Sequence, residues 1–264
     1  MGDILEQIVE ATREEVARRK RSGALDMLRD GPRPEPREFA GALARRGMSV
    51  IAEFKRRSPS RGALSENADA AEVARTYERS GAAALSVLTD SGFFGGSDED
   101  LQRARAATEL PTLRKDFTID EYQLYEAQWL GADAVLLIVR ILGDVQLSEY
   151  LALAGTLGMA ALVEAHDEHE IERAAACGAR IIGVNSRDLG TFEVRLERTL
   201  DMRARVPAGR IAVAESGVRS RADARRVAEA GFDAFLVGEA LMRSADPGAK
   251  LRELLGERPA QAGT

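Results

Sequence analysis

The chain has little of several things, and each scarcity excludes a class of protein. There is one cysteine, Cys177, in 264 residues, so no disulfide framework can staple the fold, and a reducing compartment suits it. No apolar run approaches the roughly 20 residues that a membrane helix needs. The opening stretch, MGDILEQIVEATREEVARRK, carries acids throughout and has no apolar signal core. Positive charge is not in excess either. The formal net charge is −6, which provides no field to attract nucleic acid or an anionic membrane face. The expectation is a cytoplasmic protein with neither a nucleic-acid nor a membrane partner, and any anionic ligand must be met by local positive charge.

Lysine is the second scarcity. Of 37 basic residues only Lys20, Lys55, Lys115 and Lys250 are lysine, so arginine stands almost wherever a positive charge suffices. Arginine stays protonated and cannot act as a general acid near neutral pH. Lysine can, once desolvation or a like charge lowers its pKa. Where lysine appears is therefore informative.

What is present is a 45% hydrophobic chain, long enough for one large core. Short apolar runs alternate with segments of helical period. The runs are 49–55, 83–88, 111–115, 134–139, 160–164, 181–185, 211–215 and 234–238. Amphipathic stretches at 70–79, 121–130, 168–176 and 221–230 lie between them, each followed closely by a glycine suited to a helix C-cap. Gly-Ala-Asp-Ala (131–134) returns as Gly-Phe-Asp-Ala (231–234), as a repeated helix-to-strand turn would.

Near-continuous apolar strands separated by helices predict a parallel sheet covered on both faces. A doubly wound sheet would want a glycine-rich turn after the first strand, and Glu53-Phe54-Lys55-Arg56-Arg57-Ser58 is nothing like one. The expected fold class is α/β, a (β/α)8 TIM barrel with an N-terminal helical extension. Residues 1–47 form that extension, with Ile4, Leu5, Ile8, Val9 and Val16 as one apolar stripe and Phe39, Leu43 and Met48 as a second. The helix-breaking run Gly31-Pro32-Arg33-Pro34-Glu35-Pro36 separates them. The barrel occupies 48–257, and 258–264 is expected to be a frayed tail.

Barrel enzymes place reactive groups at the C-terminal ends of their strands, and these ends are chemically loaded. Strand one ends in Glu53 and Lys55, strand three in Lys115, strand five in Glu164, strand six in Asn185 and Arg187, strand seven in Glu215 and Ser216. Glu53 and Lys55 share one face, because strand side chains repeat every two residues. Any one such group could simply face solvent; recurrence at equivalent ends of several strands points to a shared site. Ser216-Gly217 after strand seven, and Gly238 before Glu239-Ala240-Leu241-Met242 after strand eight, sit where barrels often bind phosphate through backbone N–H groups.

Other features read as structure. His166, Asp167, His169 and Glu170 look like the polar first turn of a helix and not a metal site. Cys177 reads as a packing residue and Arg18-Arg19-Lys20-Arg21 as a solvated helix face. Gly95-Gly96 is expected to give the second loop mobility, with Phe94 as a lid aromatic.

The motifs, in consistent order from Val50 to Leu241, resemble those of the indole-3-glycerol-phosphate synthases. They are Ala-Glu-Phe-Lys-Arg-Arg-Ser-Pro-Ser (52–60), Leu-Arg-Lys-Asp-Phe (113–117), Val-Leu-Leu-Ile-Val (135–139), Leu-Val-Glu-Ala-His (162–166), Gly-Val-Asn-Ser-Arg-Asp-Leu (183–189), Ala-Glu-Ser-Gly (214–217) and Leu-Val-Gly-Glu-Ala-Leu-Met (236–242). The resemblance implies a small-molecule substrate, 1-(2-carboxyphenylamino)-1-deoxyribulose 5-phosphate, closed to an indole with loss of carbon dioxide and water. It implies neither a metal nor another cofactor, and a monomer or weak homo-oligomer is expected.

Carried over position by position, Lys115 is the general acid and Glu164 the general base. Glu53 and Lys55 assist, Lys55 near the substrate carboxylate or as the acid of the dehydration. Asn185 orients the sugar hydroxyls and Glu215 supports the polar network. Ser58, Ser216, Gly217, Gly238 and the backbone of Glu239 hold the phosphate, Arg187 is a further substrate-binding residue, and Phe94, Phe117 and Leu136 form an apolar wall against the anthranilate ring.

Two positions depart from the pattern. Glu239 stands where some relatives carry a small hydroxyl residue, so its carboxylate must point away from a phosphate, and Ala165 replaces a larger apolar residue. The alternatives are a sister barrel that isomerises phosphoribosylanthranilate, which wants a cysteine at the end of strand one and an aspartate acid, and a sugar-phosphate-binding barrel without catalysis.

Overall fold

Every residue of the strand Ser49–Phe54 (β1) is buried, as a parallel strand covered on both faces requires. In the computed structural model, which describes residues 4–21, 28–29, 31, 33–45, 47–59, 62–187 and 194–256, seven more strands follow. They are Ala84–Leu88 (β2), Thr112–Lys115 (β3), Ala134–Ile138 (β4), Ala160–Ala165 (β5), Ile181–Val184 (β6), Ile211–Ala214 (β7) and Ala234–Val237 (β8). Each pairs in parallel with its sequence neighbours, and β8 closes onto β1. The eight expected strands are therefore present, closed as a (β/α)8 barrel. Pro32, Ser60, Asp188 and Leu189 of the sequence motifs, and the expected tail 258–264, lie outside the described residues.

Strand alternation sorts the side chains into two cores. Ile51, Leu113, Leu136, Leu162, Ile181, Val213 and Leu236 meet inside the barrel. Val50, Ala52, Leu85, Val87, Leu137, Val163 and Ile182 pack outward against the helices. Each fully buried aliphatic side chain contributes roughly 1.5–3 kcal/mol. The parity decides function as well as packing: residues two beyond the inner set, namely Glu53, Lys115, Glu164, Gly183 and Glu215, continue the inward face at the barrel mouth.

The helix-to-strand repeat has a physical basis. Gly131 and Gly231 adopt φ of +87° and +89°, a conformation that L side chains rarely adopt. Two residues on, Asp133 accepts from the backbone N–H of Thr112 at 2.8 Å, and Asp233 does the same for Ala212 at 2.8 Å. Each aspartate thus pins the start of its own strand to the one before it.

Two helices precede the barrel. Ile4–Arg21 (α1) reaches from the helix Glu121–Trp129, which follows β3, to the barrel mouth; Phe39–Leu43 (α2) plugs the opposite end, its Phe39 and Leu43 entering the inner core. The basic end of α1 is exposed as expected at Arg18, Lys20 and Arg21, while Arg19 is partly buried. Arg19 forms a two-pronged contact with Glu126 at 2.7 Å, and Lys20 meets Asp120 at 2.9 Å. Both acids belong to the Glu121–Trp129 helix or its cap, so Arg19 anchors α1 there and Lys20 adds an exposed ion pair. With α1 laid over it, that helix buries Tyr122, Gln123, Glu126 and Gln128 as well as its apolar residues.

In loop two, Gly96 is small because its Cα lies against Leu88: an added methyl group would overlap the Leu88 carbonyl. Asp90 accepts from the N–H groups of Phe93 and Phe94 at 2.6 and 3.0 Å, and Arg57 binds the carbonyls of Ser91 and Gly92. Gly96 thus serves close packing, in a loop held by these contacts. Among the described residues no helix is long and apolar enough to cross a membrane.

Candidate active site

All eight strands contribute to an inner cavity of about 140 Å³ at the barrel mouth, and five of them bring polar groups to it. Lys115, at the end of β3, donates to Glu164 Oε2 at 2.9 Å and lies 3.6 Å from Glu215 Oε2. Lys55 donates to Glu53 Oε1 at 2.7 Å. Asn185 Oδ1 accepts from Ser216 Oγ at 3.0 Å and from the N–H of Arg187 at 3.1 Å. All of the acid–base candidates named from the sequence face this one space.

Two glycines make room for the carboxylates. A methyl group at Gly183 would overlap the Glu215 carboxylate, and one at Gly238 would sit 2.9 Å from Glu53 Cβ. The backbone is thereby stripped where two acids must lie flat against it.

Packing four acidic and basic groups out of water separates their protonation states. Burial lowers the affinity of Lys115 for its proton, but Glu164, Glu215 and Glu53 outweigh this and hold it above the ordinary lysine range. This reverses the expectation of a lysine made acidic by its surroundings: in the free site it is a firmly held cation. Burial also opposes ionisation of Glu164, yet Lys115 and His166 hold its carboxyl well below the usual range. Glu215 goes the other way. Burial and the adjacent Glu164 charge push it well above that range, although Lys115 lies 3.6 Å from its Oε2. Two like carboxyls a short distance apart cannot both ionise cheaply.

Apolar groups form the opposite wall. Phe94, Phe117 and Leu136 line the cavity, with Phe94 and Phe117 ring centroids 6.1 Å apart. Leu5 of α1 joins them, a residue the sequence offered only as part of a helix stripe.

An outer cleft of about 440 Å³ adjoins the cavity and shares Glu53, Lys55, Arg187, Ser216 and Leu236 with it. Gly217, Gly238 and Glu239 line its floor, Arg219, Arg243 and Lys250 its rim. Ser216 has φ of +117°, the one non-glycine residue beyond zero among those described. Such strain costs of order 1–3 kcal/mol and persists where surrounding structure imposes it; here Asn185 holds the side chain. Glu239 Oε2 lies 4.0 Å from Arg187. Ser58 lines neither space and is buried in the short ladder of Arg57–Ser58 with Gly62–Ala63.

His166 is the residue that sequence reasoning passed over. It precedes the helix Glu168–Ala176 and does not open it; Asp167 is the cap. Its side chain is buried, lines the inner cavity, and lies 3.3 Å from Glu164 and 3.3 Å from Glu170. The missed signal was parity: 162, 164 and 166 share a face, so a histidine two beyond Glu164 continues inward.

Comparison with known proteins agrees with this geometry. The family model described as indole-3-glycerol phosphate synthase matches residues 5–254. The chain is 48% identical over 262 residues to the indole-3-glycerol phosphate synthase of Polaromonas sp., covering 97% of this chain and 99% of that one. It is 52% identical over 223 residues to indole-3-glycerol phosphate synthase 2 of Streptomyces coelicolor, covering 84% and 86%. A solved 3-hexulose-6-phosphate synthase superposes with a TM-score of 0.63 at 17% identity, over 79% of this chain and 98% of that one. At that identity the likeness speaks for the barrel alone.

Proposed function

The chain belongs to the indole-3-glycerol phosphate synthase family, and from that premise we propose how its own residues carry out the reaction. The activity is ring closure of 1-(2-carboxyphenylamino)-1-deoxyribulose 5-phosphate, with decarboxylation and dehydration, to indole-3-glycerol phosphate. The observation that carries the assignment of roles is the Lys115–Glu164 pair at 2.9 Å, buried between an apolar wall and a cleft floored by Gly217 and Gly238.

The phosphate occupies the outer cleft. Backbone N–H groups of Gly217, Gly238 and Glu239, the Ser216 hydroxyl and the charges of Lys55 and Arg187 are its partners, while Ser58 supports the first loop. The anthranilate ring lies against Phe94, Phe117 and Leu136, which leaves the sugar carbonyl near Lys115. That ammonium protonates the carbonyl oxygen as the aryl carbon attacks the carbonyl carbon, forming the new carbon–carbon bond. Carbon dioxide then leaves, and its bonding electrons restore the aromatic ring.

Dehydration follows. Glu164, ionised and facing the positive charge that develops on the substrate, stabilises that charge and takes up the proton released. Lys55, held by Glu53 at 2.7 Å, gives its proton to the departing hydroxyl, which leaves as water. Asn185 orients the sugar hydroxyls, and protonated Glu215 contributes a hydrogen-bond donor to the network.

Each general acid or base is worth roughly 10²–10⁴ in rate. The test is to mix purified protein with the carboxyphenylamino-deoxyribulose phosphate and follow indole fluorescence, beside Lys115→Ala and Glu164→Gln. Fluorescence that rises with the native chain and is lost or slowed by about that factor in both variants supports the roles. A folded native chain that produces none overturns the reading.

A further inference from the structure

Glu164 and Glu215 flank the same lysine, and the chemistry needs one of them ionised and the other not. Lys115 leans to Glu164, 2.9 Å against 3.6 Å, but one lysine shared by two acids is a weak discriminator. Of the two acids beside Lys115, only Glu164 is in ion-pair contact with a second basic group: His166 Nε2 lies 3.3 Å from Glu164 Oε1, the oxygen that Lys115 does not contact.

The other ring nitrogen, Nδ1, lies 3.3 Å from Glu170 Oε2, which also accepts the backbone N–H of His166 at 2.7 Å. Glu170 is held in turn by Arg140 at 2.7 Å. A neutral imidazole has one bare lone pair, which here would face a carboxylate; the doubly protonated ring sets a cation against both acids, hydrogen-bonded to Glu170 through Nδ1 and in ion-pair contact, without a hydrogen bond, with Glu164 through Nε2. The remaining charged groups around the ring are Asp167 beside it, 3.5 Å from Arg140, and Arg198, which donates to the His166 carbonyl at 3.2 Å. Lys115 and Glu215 face it across the cavity.

We propose that His166 is a positioning residue for the ring closure: clamped between Glu164 and Glu170, its cationic ring makes Glu164, and not Glu215, the ionised base. The clamp explains why a histidine follows the base at the next inward position, and why Glu170 is buried and twice bonded to it. Burial disfavours the ring's charge, yet Glu164 and Glu170 outweigh it and raise His166 to about 9. This inference rests on the synthase reading, and its test separates the two.

The chain has two histidines, and His169 is exposed, so imidazole nitrogen NMR on full-length His169→Gln observes His166 alone. The ring is expected to bear protons on both nitrogens at pH 7.5. A neutral ring there overturns the clamp, whatever the enzyme does. In kinetics, His166→Gln is expected to move the acidic limb of the kcat profile upward by about one pH unit, lowering kcat about tenfold at the foot of the limb. Recovery towards the native rate at higher pH and a KM changed less than about twofold complete the expectation. Glu170→Gln shifts the limb the same way by less. A uniform loss across pH, with the limb in its native place, overturns the proposal by giving His166 a merely structural role. A folded native enzyme without synthase activity overturns the reading beneath it instead.

Discussion

Glu215 lies flat against Gly183, so closely that even one methyl group on the glycine would overlap its carboxylate. The contact crosses from β7 to β6 and fixes where the protonated acid stands relative to Lys115. Gly183→Ala must push Glu215 towards the lysine or out of the cavity. The expected result is a chain that folds with about 1–3 kcal/mol less stability and a kcat reduced at least about tenfold, with KM less affected. Urea unfolding and steady-state kinetics read both numbers. Native kcat in the variant would falsify the claim that Glu215's place matters.

Lys115 should not tolerate arginine. The site holds its cation tightly enough that charge alone would survive the exchange, but the guanidinium cannot release a proton near neutral pH. Lys115→Arg is expected to lose about 10²–10⁴ in kcat, comparable with Lys115→Ala. If arginine retains most of the rate, the lysine acts by charge and not as an acid.

Stability should depend on pH through His166 and Glu170. The ring's folded pKa, about 9, lies above the ordinary 6.5. Its contribution is therefore complete below about 6.5 and lost as pH rises through 9. Burial resists ionisation of Glu170, but His166 and Arg140 lower it to about 2 from 4.5, so its contribution is complete above 4.5 and fades as pH falls through 2. Between 6.5 and 9 the native chain should lose stability on the order of 1–3 kcal/mol through the ring. In His166→Gln that slope should flatten, as measured by urea midpoints at successive pH values. Parallel native and variant curves across the window count against the clamp.

The first helix should be coupled to substrate affinity. Arg19 and Glu126 meet at 2.7 Å, Glu126 also holds the buried Arg114 at 2.8 Å, and Leu5 at the far end of α1 lines the cavity. Arg19→Ala loosens the anchor while leaving Arg114 paired, at a cost of about 1 kcal/mol. Faster amide exchange over residues 4–21 and a KM raised severalfold are expected. Glu126→Ala removes one of three carboxylates around the buried Arg114, leaving Asp98 at 3.0 Å and Asp116 at 3.4 Å, and should cost about 1–3 kcal/mol. An unchanged KM beside a clearly mobilised α1 would remove Leu5 from the binding wall.

Much of this was legible before any coordinates. The alternation of apolar runs and helical segments fixes eight strands, because a parallel strand buried on both faces must be apolar along its length. The same period of two, carried past each strand end, sends Glu53, Lys115, Glu164 and Glu215 inward. The scarcity of lysine marks Lys55 and Lys115 as chosen for chemistry, and the repeated Gly-x-Asp-Ala turn announces the two aspartates that tie neighbouring strands.

What the sequence could not supply was who meets whom across the barrel. Period two is a local property of one strand, whereas the pairing of Lys115 with Glu164, across β4, depends on strand tilt and closure. That closure sets Glu164 and Glu215 on either side of Lys115, at 2.9 and 3.6 Å, and their charge reverses the expected state of the lysine. It makes Arg19 an anchor of α1, brings Leu5 to the active site, and makes His166 a partner of the base when the chain alone presents it as a polar helix start. Those outcomes depend on distances between segments far apart in the chain, and only the tertiary structure decides them.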